Sequence, residues 1–213
     1  MNRSIALISA ALLLGAAPVA ALAQSNTQQQ PSTGTYHTQQ QPSTGTYQAP
    51  GAGPRHFVFH PNRRWLYLLN ELDATVNAYG FDSASGLLSP LQTVSAIPSG
   101  SQAKPSAADI HVTPDGKFLY ASERTTSTLA AFRIDAETGR LSPLGNTPTE
   151  TQPRGFAIDP RGAFLLAVGQ QSHHLTVYAI DRETGRLDER SRYPMGQNPN
   201  WVEIVDFAAA VSP

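Results

Sequence analysis

Charged side chains flank both open ends of an apolar hairpin, GPRHFVFHPNRRWLYLLNE, which spans residues 53–71. Arg55 and His56 precede the first apolar run, and Glu71 follows the second. Because a His-Pro-Asn turn joins the two runs, they are predicted to form antiparallel strands that bring these three groups to one end. A carboxylate can take a proton from water, and a guanidinium can hold an anion or a developing oxyanion. The pattern therefore predicts a polar site at the open end of a hairpin.

The hairpin recurs twice along the chain. Aligned on Pro61, Pro114 and Pro160, three segments share two apolar runs, followed by a third run, a glycine-containing turn and a fourth run. Four short strands in a repeat of about 40 to 50 residues are typical of a β-propeller blade. Helical repeats of this period would need apolar spacings of three and four, which are absent. We therefore predict an all-β fold, a partial β-propeller of three four-stranded blades, with residues 200–207 as one extra strand.

The alignment also assigns each charged group a position in its blade. Three sets of residues share a position: Arg55, Ala108 and Arg154; His56, Asp109 and Gly155; Glu71, Arg124 and Gln170. In a blade, the first strand lines the central channel, and its start lies on the same face as the end of the second strand. Arg55, Glu71 and Arg124 are therefore expected to converge at one mouth of that channel.

Glu71 is the candidate general base, since neighbouring arginines favour its ionised form. Arg55, Arg124 and Arg154 provide forked donors for phosphate, carboxylate or an oxyanion, and His56 could share the proton transfer. The alternatives are a surface ion pair for Glu71 and a structural contact to loop carbonyls for Arg154.

Three further residues complete the predicted substrate-binding set: Asp109, His111 and His173. For Asp109 and His111 the alternative is support of the strand or a bond to a neighbouring blade. His173 is followed by His174, and an adjacent pair is poor spacing for metal ligands. No metal site is predicted.

The N-terminal region differs in composition from the rest. Residues 1–23 carry one arginine, an apolar run from Ile5 and Ala-Leu-Ala before Gln24, the pattern of a secretory signal peptide. A membrane anchor is disfavoured because that run is shorter than the roughly 20 residues of a span. Residues 24–50 include an eleven-residue tandem repeat poor in apolar groups, which predicts a disordered linker, or alternatively a wall- or glycan-binding repeat. We expect a periplasmic or secreted protein with its propeller domain at 51–207 and a tail at 208–213.

The composition excludes several classes of function. The chain has no cysteine, which excludes disulfides, thiolate metal sites and a cysteine nucleophile. Its 15 basic and 16 acidic side chains give no sign of a nucleic-acid partner or, after signal cleavage, of membrane binding. There is no G-x-S-x-G elbow and no glycine-rich phosphate loop before a helix, so no cofactor is predicted.

Five motifs occur in a fixed order along the chain: GAGPRHFVFHPN, NELDATV, AADIHVTPDGKFLYASERT, TETQPRGFAIDPRGAFLLAVGQQSHHLTVY and MGQNPNWV. In order and spacing, they resemble the seven-bladed β-propeller lactonase family of bacterial 6-phosphogluconolactonases and fungal carboxy-muconate lactonizing enzymes (cycloisomerases). The resemblance covers residues 51–207 and corresponds to roughly the C-terminal half of a family member. It implies a carboxylic ester hydrolase that opens a phosphorylated sugar lactone, 6-phospho-D-glucono-1,5-lactone, without a cofactor.

The resemblance also assigns residues to the active site. It implies an arginine of the GPRH motif (Arg55), a glutamate of the Asn-Glu motif (Glu71) and an arginine after the Leu-Tyr-Ala-Ser motif (Arg124). The family carries a further histidine in an upstream Cys-His-Ser segment that has no counterpart here, so we expect this chain alone to be a poor lactonase. The alternatives are a non-catalytic propeller used for binding and an inactive fragment. Three blades also leave open edges, which predict association with another chain or with a second copy.

Overall fold

The computed structural model describes residues 50–205, in which all regular secondary structure is β-strand. The predicted signal peptide, nearly all of the predicted linker and the predicted tail lie outside the described residues. Blade 1 contains β1 (Pro54–Phe59), β2 (Trp65–Asn70), β3 (Thr75–Phe81) and β4 (Leu88–Ser95). Blade 2 contains β5 (Ala107–Val112), β6 (Phe118–Glu123), β7 (Thr128–Ile134) and β8 (Leu141–Pro148). Blade 3 contains β9 (Pro153–Ile158), β10 (Phe164–Gly169), β11 (His174–Ile180) and β12 (Leu187–Pro194).

Each blade is one four-stranded antiparallel sheet in which the strands lie in chain order. The predicted all-β, partial propeller of three blades is confirmed. The first strands of neighbouring blades contact one another, β1 against β5 and β5 against β9. This adjacency places the starts of the first strands side by side, which is what brings the charged ends of successive hairpins together.

The blades pack through alternating side chains. In β6, Leu119 and Ala121 belong to the core shared with blade 1, whereas Phe118 and Tyr120 belong to the core shared with blade 3. Successive side chains of a strand point to opposite faces, so a strand in the middle of a propeller buries both. This explains why β6 is buried along its whole length.

An aromatic ring and a glycine interlock at each of the two interfaces between blades. A side chain at Gly139 would collide with the ring of Trp65, and one at Gly185 with the ring of Phe118. Both glycines have positive φ angles, 70° and 75°, in the turn before the fourth strand. The hydroxyl of Tyr67 donates to the Gly139 carbonyl at 2.9 Å, and Tyr120 makes the equivalent bond to Gly185 at 2.8 Å. At each interface, this tyrosine hydrogen bond accompanies the burial of apolar side chains.

Residues 200–205 differ from the prediction, because this part of the predicted extra strand is not paired in a sheet. The chain nevertheless passes over β9, where the Asn200 carbonyl oxygen would lie 2.7 Å from a side-chain carbon at Gly155. A strand forms only when a neighbour completes its hydrogen bonds, and none of the described segments lies beyond this one. Within residues 50–205, no helix is long and apolar enough to span a membrane.

Candidate active site

Glu71 lies between two arginines from neighbouring blades. Its Oε2 accepts a hydrogen bond from Arg55 Nη1 at 3.0 Å, and its Oε1 accepts one from Arg124 Nη2. Arg55 and Glu71 stand at the two open ends of the β1–β2 hairpin, and Arg124 directly follows β6. The predicted convergence of these three side chains is confirmed, while their catalytic role stays a prediction. We call this group the arginine clamp.

Backbone carbonyls of blade 2 hold both guanidinium groups in place. Arg55 Nε donates to the Ala108 carbonyl at 2.7 Å, and Arg124 Nε donates to the Ser106 carbonyl at 3.1 Å. An arginine has five N–H donors spread over three nitrogens. Within the described residues, Arg55 Nη2 and Arg124 Nη1 make no hydrogen bond, so each guanidinium keeps one nitrogen for a ligand. Arg55 lies at a register shift in the β1–β2 pairing, between Pro54 and His56.

The arginine clamp makes Glu71 a strong anion and a weak base. Burial raises the pKa of Glu71, but the hydrogen bonds and charges of Arg124 and Arg55 outweigh it and hold that pKa below the ordinary value. Both carboxylate oxygens are engaged. Glu71 is therefore well placed to fix the arginines and poorly placed to take a proton.

A second polar group lies along the first strands. Asp109 Oδ1 is 3.0 Å from His56 Nδ1, and Asp109 Oδ2 is 3.2 Å from His111 Nε2. The same Oδ2 accepts the backbone N–H of Phe156 from blade 3 at 3.2 Å. Asp109 is buried and holds two histidines from neighbouring strands in fixed orientations.

The carboxylate of Asp109 is kept ionised. Burial raises its pKa, but hydrogen bonding and charge from His111, with hydrogen bonds from His56 and Phe156, lower it below the ordinary value overall. Since an ionised carboxylate only accepts hydrogen bonds, it selects the His56 tautomer that carries its proton on Nδ1. The opposite nitrogen, Nε2, makes no hydrogen bond to any described residue, and the side chain is 38% exposed. His56 therefore presents a free basic nitrogen.

Glu123 supports the arginine clamp and was not predicted from the sequence. It is fully buried directly before Arg124 and accepts the backbone N–H groups of Ser106 at 2.6 Å and Thr126 at 2.6 Å. Through these bonds it shapes the loop that carries the Arg124 side chain and its Ser106 anchor. The signal available in the sequence was a glutamate where the equivalent positions of the other blades have asparagine and glycine.

The remaining predicted site residues lie apart from the arginine clamp. Arg154 is exposed and makes no polar contact with any described residue. His173 has a positive φ of 56°, and its Nδ1 accepts the backbone N–H of Asn198 at 3.1 Å, a contact that ties two loops of blade 3 together. Asp109 is too buried to contact a substrate directly, whereas His111 is partly exposed and packs its ring edge against Phe156.

The described residues include no group of three or more histidine, cysteine or carboxylate side chains that could hold a metal ion. The acidic side chains of the site are already engaged by arginine or histidine. The polar groups present are suited to binding an anion and moving a proton.

Fold and site together define the class of protein: a partial β-propeller with a charged candidate site where the first strands of neighbouring blades meet. The family described as "Lactonase, 7-bladed beta-propeller" matches residues 30–204. The chain belongs to this family. The 6-phosphogluconolactonase of Pectobacterium carotovorum is 48% identical over 155 residues, which are 73% of this chain and 47% of the relative. That of Erwinia tasmaniensis is 49% identical over 154 residues, 72% of this chain and 46% of the relative.

Solved structures show the same relationship. A protein from Lactobacillus plantarum superposes with a TM-score of 0.70 at 34% identity, covering 73% of this chain and 46% of that one. The periplasmic gluconolactonase PpgL of Pseudomonas aeruginosa superposes with a TM-score of 0.66 at 34% identity, covering 70% and 42%. The chain spans about half the length of the relatives that it matches.

Proposed function

We propose that this protein hydrolyses a sugar lactone, with 6-phospho-D-glucono-1,5-lactone as substrate. The observation that carries the proposal is the arginine clamp, in which two fixed guanidinium groups each keep one nitrogen without a hydrogen bond to any described residue, together with His56, the next residue along β1, which Asp109 orients. Relatives of similar sequence are 6-phosphogluconolactonases, which supports this substrate over other lactones.

The arginine clamp provides positive charge that can stabilise the negative charge formed during the reaction. Opening a lactone passes through a tetrahedral intermediate whose former carbonyl oxygen becomes an anion. Arg55 Nη2 and Arg124 Nη1 can donate to that oxygen or to the phosphate of the substrate. Because backbone carbonyls and Glu71 already hold both side chains, little ordering remains to be done when the substrate binds.

We assign the base to His56 in preference to Glu71. The Asp109 carboxylate orients His56 Nδ1 and leaves Nε2 open, whereas both oxygens of Glu71 accept hydrogen bonds from arginine. A base must be oriented and able to accept a proton, and His56 meets both conditions whereas Glu71 does not. In this assignment Glu71 and Asp109 are positioning residues.

The proposed reaction balances without a cofactor. Water attacks the lactone carbonyl carbon while its proton passes to His56 Nε2. The bond from that carbon to the ring oxygen then breaks, and His56 returns the proton to the ring oxygen, giving the open-chain acid. The arginine clamp holds the oxyanion in between.

Hydrolysis by the purified full chain tests the proposal, with the spontaneous rate subtracted because such lactones open slowly in water. We expect His56→Gln to lower the catalysed rate by about 10²-fold or more, the usual contribution of a general base. Glu71→Gln should cost less, about tenfold, through misplaced arginines. A larger loss of rate in Glu71→Gln than in His56→Gln would identify Glu71 as the base. A full chain that never exceeds the spontaneous rate would contradict the proposed activity.

A non-catalytic binding function is the second candidate. It is favoured by one observation, the exposed aromatic side chains of Phe57 and Phe59 on blade 1, which are 60% and 42% exposed. Binding of another protein that Phe57→Lys abolishes, together with a lactone hydrolysis rate no higher than the spontaneous one, would support this alternative.

We also propose that the protein is exported to the periplasm or beyond. The signal-like residues 1–23 support this, as does the similarity to PpgL, which is a periplasmic protein. N-terminal sequencing of protein from the cell envelope should begin near Gln24, and an intact Met1 on cytosolic protein would contradict export.

A further inference from the structure

Two buried polar residues directly precede Arg124 at the end of β6. Ser122 and Glu123 are both fully buried. The equivalent residues of the other blades are Leu69 and Asn70, and Val168 and Gly169. Burying a polar group costs free energy unless it is hydrogen-bonded, so the partners of Ser122 and Glu123 indicate what these side chains do.

Ser122 hydrogen-bonds to the backbone of Asp109. In blades 1 and 3 the residues equivalent to this pair lie opposite each other in the strand register. In blade 2 the register shifts between Ala107 and Ile110, and the pairing skips Asp109. Ser122 Oγ accepts the Asp109 backbone N–H at 3.1 Å. The hydroxyl therefore satisfies a buried donor at the irregular point of β5.

Asp109 is the residue that orients the proposed base. Its Oδ1 lies 3.0 Å from His56 Nδ1 and 3.0 Å from the backbone N of Ile110. Its Oδ2 accepts the backbone N–H of Phe156 at 3.2 Å. The direction of this carboxylate depends on where the Asp109 backbone lies, and Ser122 is the side chain that holds that backbone on the β6 side.

The hydrogen bonds of Glu123 reach segments on both sides of Arg124. Oε1 accepts the backbone N–H of Ser106 at 2.6 Å, and Oε2 accepts the backbone N–H and the hydroxyl of Thr126, each at 2.6 Å. The Ser106 carbonyl in turn accepts the backbone N–H and Nε of Arg124, each at 3.1 Å. Glu123 therefore connects the loop after Arg124 to the peptide that anchors its guanidinium.

We propose that Ser122 and Glu123 are positioning residues for two different parts of the site. Ser122 fixes the Asp109 carboxylate that orients His56, and Glu123 fixes the guanidinium of Arg124. Neither side chain touches the substrate in this assignment, because both are fully buried. The effect on the reaction rests on the proposed lactone hydrolysis, whereas the two positioning contacts can be tested without a substrate.

NMR spectra of the full chain test the two contacts separately. Ser122→Ala removes the Oγ acceptor, so it should shift the His56 ring nitrogens and leave the Arg124 Nε–H signal in place. Glu123→Gln replaces an acceptor oxygen by an NH₂ group that faces backbone donors. It should shift the Arg124 Nε–H signal and leave the His56 signals in place. Variants that shift both sets of signals alike, or neither set, would overturn the proposal.

Blade 3 provides matched controls. Glu150 is a buried carboxylate that accepts hydrogen bonds from buried Thr176 at 2.6 Å and from Arg192 at 2.7 Å. These partners lie on β11 and β12, the third and fourth strands of their blade. Glu150→Gln and Thr176→Val should lower the free energy of unfolding and leave the signals of His56 and Arg124 unchanged. Shifts as large as those of the two blade 2 variants would show that loss of any buried contact disturbs the site, and would overturn the proposal.

Thr126→Val is a milder change in case Glu123→Gln does not fold. It removes the hydroxyl that donates to Glu123 Oε2 and leaves the carboxylate in place. The Arg124 Nε–H signal should shift in the same direction as in Glu123→Gln, by a smaller amount. An Arg124 signal that Thr126→Val does not move would contradict the connection from Glu123 to Arg124.

Rates of lactone hydrolysis test whether Glu123 acts through Arg124. Glu123→Gln should lower the catalysed rate about tenfold, because it misplaces a group that binds charge. In a chain that already carries Arg124→Gln, the same change should leave the remaining rate unaltered, since the group that Glu123 positions is gone. An equal loss in both backgrounds would mean general damage to the fold and would overturn this role. A natural chain that never exceeds the spontaneous rate would contradict the proposed function alone, because the NMR signals decide the positioning roles without a substrate.

Discussion

Replacing Glu71 by glutamine should lower the free energy of unfolding, and the size of this loss can be worked out from the hydrogen bonds of Glu71. The carboxylate accepts hydrogen bonds from Arg55 on one oxygen and Arg124 on the other. A glutamine amide can still accept from one guanidinium, but its NH₂ group then faces the other, donor against donor. One charge-assisted hydrogen bond is lost, which is worth about 1.5–3 kcal/mol. The Glu71 side chain is 30% exposed, so solvent screening favours the lower end, about 1.5 kcal/mol.

Urea unfolding of the full chain at neutral pH measures this loss as a shift in midpoint with an unchanged slope. Glu137→Gln is the matched control, because Glu137 is exposed in a turn of blade 2 and its side chain contacts no described residue. It should leave the free energy of unfolding unchanged. A double-mutant cycle with Arg124→Gln should show coupling between the two sites. An unchanged free energy of unfolding in Glu71→Gln would refute the arginine clamp as a formed structure in solution.

Three further predictions follow from other contacts. Tyr67→Phe should lower the free energy of unfolding by about 1 kcal/mol in urea, since it removes the hydroxyl bond between blades, while exposed Tyr193→Phe should be silent. Hydrogen bonds from Arg192 and its neighbours outweigh burial and lower the pKa of Glu150 from 4.5 to about 2, so stability present above pH 4.5 should fall as the pH drops towards 2. Glu150→Gln should flatten that acid dependence, and an identical pH profile would contradict the assignment. Asp109→Asn should lower the rate of lactone hydrolysis and shift the His56 ring nitrogens in NMR spectra, because an amide no longer enforces one tautomer; an unshifted spectrum would exclude the contact.

Much of the fold could be predicted because the same sequence pattern occurs three times. A proline turn, a glycine turn and four apolar runs recur in the same order, so the blades and the place of each strand follow from the alignment. The convergence of Arg55, Glu71 and Arg124 followed as well, since equivalent positions in adjacent blades must be neighbours. The extra strand at 200–207 could not be judged in this way. A single run of strand-forming residues pairs only if a neighbour is present, and the sequence pattern does not show whether one is.

The roles of the individual site residues could not be predicted, because they depend on which side chains form hydrogen bonds with one another. From the sequence, Glu71 beside arginines suggested a base, since arginine keeps a carboxylate ionised. When both oxygens of Glu71 accept hydrogen bonds from these arginines, Glu71 is less able to accept a proton. That outcome depends on side-chain geometry, which the spacing of residues along the sequence does not specify. Asp109 shows the converse. The sequence offered Asp109 as a substrate-binding residue or as a support of its strand, yet its two oxygens reach His56 and His111 on neighbouring strands, and this leaves His56 Nε2 as an open nitrogen. The residue that best fits the base is thus identified by the group that orients it, a relation across 53 residues of chain that only the packing of blade 1 on blade 2 creates.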